Sequence, residues 1–173
     1  MNMSSGQDFQ DGTAPLEQRL MHLLACNALE EMWSSFYLSN IFLFPIYARF
    51  EAEYQITRPE FVTLYCLHHL GPLIAQEVSE LAGLPKNSIS RGVKRLLSKG
   101  LIEMSRDSED RRRNNLKMSA EGQGLFDTLV DSAKCRRAKL IEPLTSAERA
   151  MLHELLMKLS RGARARLQDE TGF

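Results

Sequence analysis

The sequence predicts a mostly α-helical protein with one small β-hairpin wing, a helix-turn-helix lobe seated on an all-helical base. Three observations carry that expectation. Two short amphipathic periods meet at Gly83, two short apolar-polar segments flank a charged loop near 106–115, and long helical periods lie on either side of this middle region.

The elements follow in order. Met1 to Pro15 is Ser/Gly/Asp-rich without a secretory pattern, so residues 1–14 are expected to form a disordered tail. Leu16 to about Met32 reads as a helix with Leu16, Leu20, Leu23, Leu24 and Ala28 on one face. A more apolar stretch runs from Trp33 to Tyr54. Pro45 lies inside it, lacks a backbone donor, and is expected to kink or divide the helix. Thr57-Arg58-Pro59-Glu60 spells a capping box, in which Glu60 reaches back to the helix start. The helix it opens carries Phe61, Leu64, Tyr65 and Leu67 and stops at Gly71-Pro72.

Ala75–Ala82 is a short helix ending at Gly83, whose freedom at positive φ suits the turn between paired helices. Pro85 fits the first turn of the next helix, about 85–98. Leu101 to Met104 alternates as a strand, Leu116 to Met118 returns, and the segment between them is a loop. Helix-turn-helix plus hairpin is a winged helix. Ser119 then caps a helix to about Leu140, broken off by Pro143, and Thr145 to Glu148 is a second capping box. The final helix carries Met151, Leu152, Leu155, Leu156 and Leu159 on one face. The expected division is 15–56 for N-terminal helices, 57–118 for the winged lobe and 119–170 for C-terminal helices.

Composition narrows the function. The chain has 173 residues, 43% hydrophobic and 25% charged, as in an ordinary soluble domain with a real core. No apolar run has bilayer length, so no membrane partner is expected. Cys26, Cys66 and Cys135 are odd in number and widely spaced, which fits neither a disulfide framework nor a metal site and points to a reducing cytoplasm. No nucleophile–base pair, metal cluster or phosphate loop appears, so neither an enzyme nor a cofactor is expected. A formal charge of zero conceals the distribution. Pro85 to Met118 holds ten Lys/Arg against four Asp/Glu, the footprint of a polyanion-binding face.

The helix at 85–98 refines this. At 100° per residue Ile89, Val93, Leu96 and Leu97 face inward. Asn87, Ser88, Ser90, Arg91, Lys94 and Arg95 lie outside that stripe, short polar residues first and long cations after. A helix entering a major groove needs that order, because its first residues meet base edges and longer side chains reach phosphates. Arg91 is the candidate for a bidentate guanine contact, with Asn87 or Ser88 on a neighbouring base. At the wing, Arg106, Arg111, Arg112 and Arg113 are candidates for the adjacent minor groove, and Asp110 for bracing one of those arginines. A solvated basic face is the plainer alternative.

From Thr57 to Gly122 the sequence resembles the MarR family of bacterial transcription regulators. The resemblance rests on Ser88-Ile89-Ser90-Arg91-Gly92-Val93-Lys94-Arg95-Leu96, on Gly100-Leu101-Ile102, and on Asp110-Arg111-Arg112 followed by Leu116, Met118-Ser119 and Gly122, in order and spacing. Met118-Ser119 stands where the family usually has Leu-Thr, Pro85 where a Ser cap is common, and Lys94 where an acid is frequent. Base preference is expected to differ accordingly.

The resemblance implies a homodimer on an all-helical dimerisation base, reading a pseudo-palindromic operator in double-stranded DNA as a repressor. The stretch before Trp33 exceeds the family minimum and is expected to add a helix to that base. The resemblance also implies release by a small aromatic or phenolic effector. Trp33, Tyr37, Arg49 and His69 are the candidates for that pocket, although an aromatic stripe at helical spacing is more often packing. A redox-responsive regulator and a winged-helix protein-interaction module remain as alternatives. Cys26 lies too far upstream to match the family's sensing position and reads as an inert thiol.

Overall fold

The computed structural model describes residues 15–25, 28–106 and 114–163. Within them the order is α1 (Leu16–Ala25), α2 (Glu30–Tyr54), α3 (Arg58–Leu70), α4 (Ala75–Ala82), α5 (Lys86–Ser98), β1 (Ile102–Arg106), β2 (Asn114–Met118), α6 (Ala120–Ile141) and α7 (Ser146–Ser160). Helical periods and caps thus produce the expected architecture. The expected tail, residues 1–14, lies outside the described residues, and α7 ends at Ser160, where the Arg161 N–H donates to the Met157 carbonyl.

Two N-terminal expectations are corrected. The helix expected to reach Met32 ends at Ala25, and a new helix starts after Leu29. The Ser34 hydroxyl reaches the Leu24 carbonyl at 3.4 Å, ten residues back, a contact that a continuous helix would forbid. α1 therefore folds back on α2.

The second correction concerns Pro45: of the kink or division expected there, division does not occur. The helix runs unbroken across it. Proline leaves the Ile41 carbonyl without its helical donor, and the chain repairs this from outside. The Arg136 guanidinium, on α6, donates to the Ile41 carbonyl at 2.5 Å and to the Phe42 carbonyl at 3.1 Å. One ion on a neighbouring helix thereby replaces the missing N–H.

The core lies in the lobe and in the halves of α2 and α6 that touch it. Phe50, Ile56, Leu64, Val78, Ile89, Leu96, Leu116, Phe126 and Leu129 are fully buried. Each such side chain contributes about 1.5–3 kcal/mol relative to exposure. α1 and α7 bury none of their residues.

The hairpin pairs in antiparallel register, Ile102 with Met118 and Met104 with Leu116. Leu73 exchanges both backbone bonds with Leu116, at 3.2 and 2.8 Å, which fastens the wing to the α3–α4 connection. Ser119 then locks wing to base. Its hydroxyl accepts from the Gly122 N–H and donates to the Gly100 carbonyl, while a Cβ on Gly122 would fall 2.0 Å from the Leu101 carbonyl oxygen. Only glycine fits there.

The Pro45–Arg136 joint is testable by a double-mutant cycle read by urea unfolding. Arg136→Met should cost about 1 kcal/mol in the parent and almost nothing beside Pro45→Ala, whose restored N–H returns to Ile41. Equal losses in both backgrounds would show that Arg136 acts elsewhere.

Candidate nucleic-acid interface

α5 is held by its apolar stripe. Ile89, Val93 and Leu96 are buried, and the helix lies across the start of α3. The crossing is close because Gly92 has no side chain. A Cβ there would stand 3.2 Å from Pro59 Cβ and 3.3 Å from the Glu60 nitrogen. Pro85 is the N-cap rather than a first-turn residue, and its carbonyl accepts from the Ser88 and Ile89 N–H groups.

Packing this stripe inward leaves Asn87, Ser90, Arg91, Lys94 and Arg95 exposed, with Ser88 half-buried. Among the described residues no acid holds Arg91 or Lys94. Ser88, Arg91 and Arg95 join Thr57 and Pro59 along a shallow groove of about 230 Å³ where α5 meets the start of α3. The structure thus brings Ser88, Arg91 and Arg95 together, while Asn87, Ser90 and Lys94 are exposed and do not line that groove. An outward row of this kind offers hydroxyl and guanidinium donors suited to base edges and phosphates.

Glu60 is the residue whose reach the sequence reading missed. Its Oε2 accepts from the Thr57 N–H at 2.9 Å and from the Thr57 hydroxyl, which is the expected reach-back of the capping box. Its other oxygen, Oε1, accepts from Lys99 Nζ at 2.7 Å, across 39 residues. Arg95 Nη1 stands 4.0 Å from Oε2. The carboxylate has no solvent exposure, while Arg95 is 60% and Lys99 31% exposed. Burial pushes the Glu60 carboxyl up, but the hydrogen bonds from Lys99 and Thr57 outweigh it and leave it below the ordinary value. Its contribution to stability is therefore present above the unfolded carboxylate pKa and is lost as pH falls through the lowered folded one. No local pattern announces such a pair, because only the α3–α5 crossing joins residues 60 and 99.

At the wing, Arg106 pairs backbone to backbone with Asn114, the last described residues on either side of 107–113. Asp110, Arg111, Arg112 and Arg113 lie outside the described residues.

The pocket candidates do not converge. Trp33 and Arg49 sit on one continuous helix, roughly 24 Å apart at 1.5 Å per residue, too far to share a ligand within one chain. Trp33 rests against Phe36, with Tyr37 half-buried beside it on the same helix. Arg49 is engaged by Glu53 at 2.9 Å and Ser132 at 3.2 Å. His69 packs on the Tyr65 ring, 4.5 Å between centroids.

Between α2, α3 and α6 lies instead a cavity of about 370 Å³. Phe42, Ile46, Tyr47, Phe61, Tyr65 and Val130 line it, with Lys134 and Arg137 as its cations. Of the cysteines, Cys66 is half-buried with its thiol pushed up by burial, Cys135 is exposed, and Cys26 lies outside the described residues. Among the described residues no His, Cys, Asp and Glu group forms a metal site, and no helix is long and apolar enough to cross a membrane.

If Arg91 reads a base, Arg91→Ala should cost about 1–3 kcal/mol in binding and relax specificity at one position, measured by affinity across a set of single-base operator variants. An equal fall for specific and random duplex would make Arg91 a phosphate contact instead.

Comparison with known proteins agrees with this geometry. Residues 56–113 match the MarR family. The HTH-type transcriptional repressor NicR of Pseudomonas putida is 29% identical over 105 residues, which are 61% of this chain and 66%, just under two thirds, of that protein. Among solved structures, a MarR/EmrR family transcriptional regulator from Acinetobacter sp. ADP1 superposes with a TM-score of 0.69 at 26% identity, covering 80% of this chain and 99% of that one. Bordetella bronchiseptica BpsR, whose DNA binding is described as regulated by 6-hydroxynicotinic acid, gives a TM-score of 0.55 at 25% identity over 68% of this chain and 95% of that one. The sequence match over 56–113, the helix order and the two-stranded wing together make the chain similar to the winged helix-turn-helix transcriptional regulators of the MarR family.

Proposed function

We propose that the chain works as a homodimeric, sequence-specific repressor, with α5 in the major groove of each half of a pseudo-palindromic operator. The observation that carries this reading is the outward row of Ser88, Arg91 and Arg95, laid on the start of α3 with the core behind it. Arg106, Arg111, Arg112 and Arg113 serve the flanking minor groove, with Asp110 as brace, a reading supported by the antiparallel hairpin in which Arg106 pairs with Asn114.

The dimer reading is supported by what one chain leaves uncovered. Met151, Leu152, Leu155, Leu156 and Leu159 of α7 are exposed, as are Leu16, Met21, Met32, Trp33 and Phe36 of α1 and α2. A lone helix of this length is marginal in water unless an apolar face is packed. A second copy offers the same helices and closes the assembly by two-fold symmetry, which sets half-sites about one helical turn apart.

Release by a small aromatic acid is supported by the cavity between α2, α3 and α6. Its volume lies within the range of small-molecule sites, its walls are aromatic, and Arg137 is suited to a carboxylate. The BpsR description favours the same ligand chemistry.

Sedimentation should find a dimer, and Leu152→Glu with Leu155→Glu should give a monomer whose operator affinity falls by at least about tenfold. A parent that is monomeric yet binds a palindrome tightly would contradict the dimer reading. Calorimetric titration with hydroxylated benzoic and nicotinic acids tests the cavity. Arg137→Met should weaken a binding acid by about 1.5–3 kcal/mol, and an unchanged affinity would place the ligand elsewhere. Peroxide treatment that abolishes DNA binding would favour redox control instead.

A further inference from the structure

α5 carries its cations on a stripe that is divided in two. Ser88, Arg91, Arg95 and Lys99 recur at helical spacing, since eleven residues complete three turns within about 20°. The first half of the stripe, Ser88 and Arg91, borders the open groove, which Arg95 also lines. The second half lies over a buried acid. Lys99 Nζ is 2.7 Å from Glu60 Oε1 and also donates to the Gln55 carbonyl, while Arg95 Nη1 is 4.0 Å from Glu60 Oε2. Gly92 makes the division possible by letting this face lie against Pro59 and Glu60.

We propose that Glu60 is a specificity-determining positioning residue: its carboxylate withholds Lys99 from DNA phosphates and anchors the end of α5, leaving Ser88 and Arg91 to read bases. This rests on the proposed entry of α5 into the major groove. Phosphate contacts strengthen binding to every sequence alike, so a cation kept from phosphate lowers random-duplex affinity and protects discrimination. The two oxygens of Glu60 do separate work. Oε2 serves Thr57 and the start of α3, whereas Oε1 serves Lys99. Glu60→Gln therefore separates the roles: its carbonyl oxygen still accepts from Thr57, but its amide NH2 faces Lys99 and offers no acceptor.

The test compares a duplex selected by the protein from a random pool with a scrambled duplex, by anisotropy across a salt series. Glu60→Gln should tighten scrambled-duplex binding, by up to about eightfold at 0.1 M salt, and steepen the salt slope by about 0.9, the effect of one added phosphate contact. The selected-to-scrambled ratio should fall. Lys99→Gln alone should leave the parent slope unchanged, and in the Glu60→Gln background it should return the slope to the parent value. A purely structural Glu60 would weaken both duplexes together, and that outcome overturns the proposal. So does a Lys99→Gln slope shallower by about 0.9 in the parent, an arm that stands even if Glu60→Gln does not fold.

Acylation of lysine amines, read by mass spectrometry without DNA, keeps the two readings apart. Lys99 should react several-fold more slowly than Lys86 and Lys94, and equal rates would remove the tether. A parent that binds no duplex overturns the groove reading and this role with it, while slow acylation of Lys99 would still report the ion pair.

Discussion

The lobe depends on the close crossing of α3 and α5. Gly92 brings the helix backbones together, the apolar stripe of α5 seals the space beneath, and Glu60 joins the two helices through Thr57 on one side and Lys99 on the other. A buried carboxylate is costly unless each oxygen has a partner. Here both do, and no buried side-chain polar atom among the described residues lacks one. The crossing therefore decides which residues of α5 face outward. Moving it by one residue would rotate Arg91 out of the groove by about 100°.

From this joint the structure passes outward in two directions. The wing is fastened by Leu73 and Leu116 on the lobe side and by Ser119 and Gly122 at the start of α6. α2 and α6 are fastened to each other by Arg136, which holds the Ile41 and Phe42 carbonyls one turn before Pro45. The cavity with Phe42 and Ile46 in its wall lies beside that repair, and Phe61 and Tyr65 bring α3 into the same wall. Base, cavity and lobe thus share α3. Any ligand filling the cavity touches the helix whose first turn carries Glu60.

Much of this was legible in the sequence because local chemistry writes it there. Thr57 with Glu60, Thr145 with Glu148, and Ser119 are caps whose geometry needs only three neighbouring residues. The inward stripe of α5 and the hairpin pairing follow from period alone. What was not legible depends on distant residues. A carbonyl freed by Pro45 can be satisfied by water, a side chain or a kink, and nothing near residue 45 names Arg136. Glu60 looks like a cap because its second oxygen finds Lys99 only after folding. The aromatic residues Trp33 and Tyr37 suggested a pocket, yet Trp33 is exposed and the aromatic wall of the cavity is Phe42, Tyr47, Phe61 and Tyr65 of α2 and α3.

The central claim is that two copies of α5 read one face of duplex DNA. A hydroxyl-radical footprint on a duplex selected by the full chain addresses it directly. The expected result is two symmetric protected patches with centres about one helical turn apart, both lost with Arg91→Ala at a salt concentration where the parent still protects. A single patch, or protection spread evenly along the duplex and unchanged by Arg91→Ala, would contradict it.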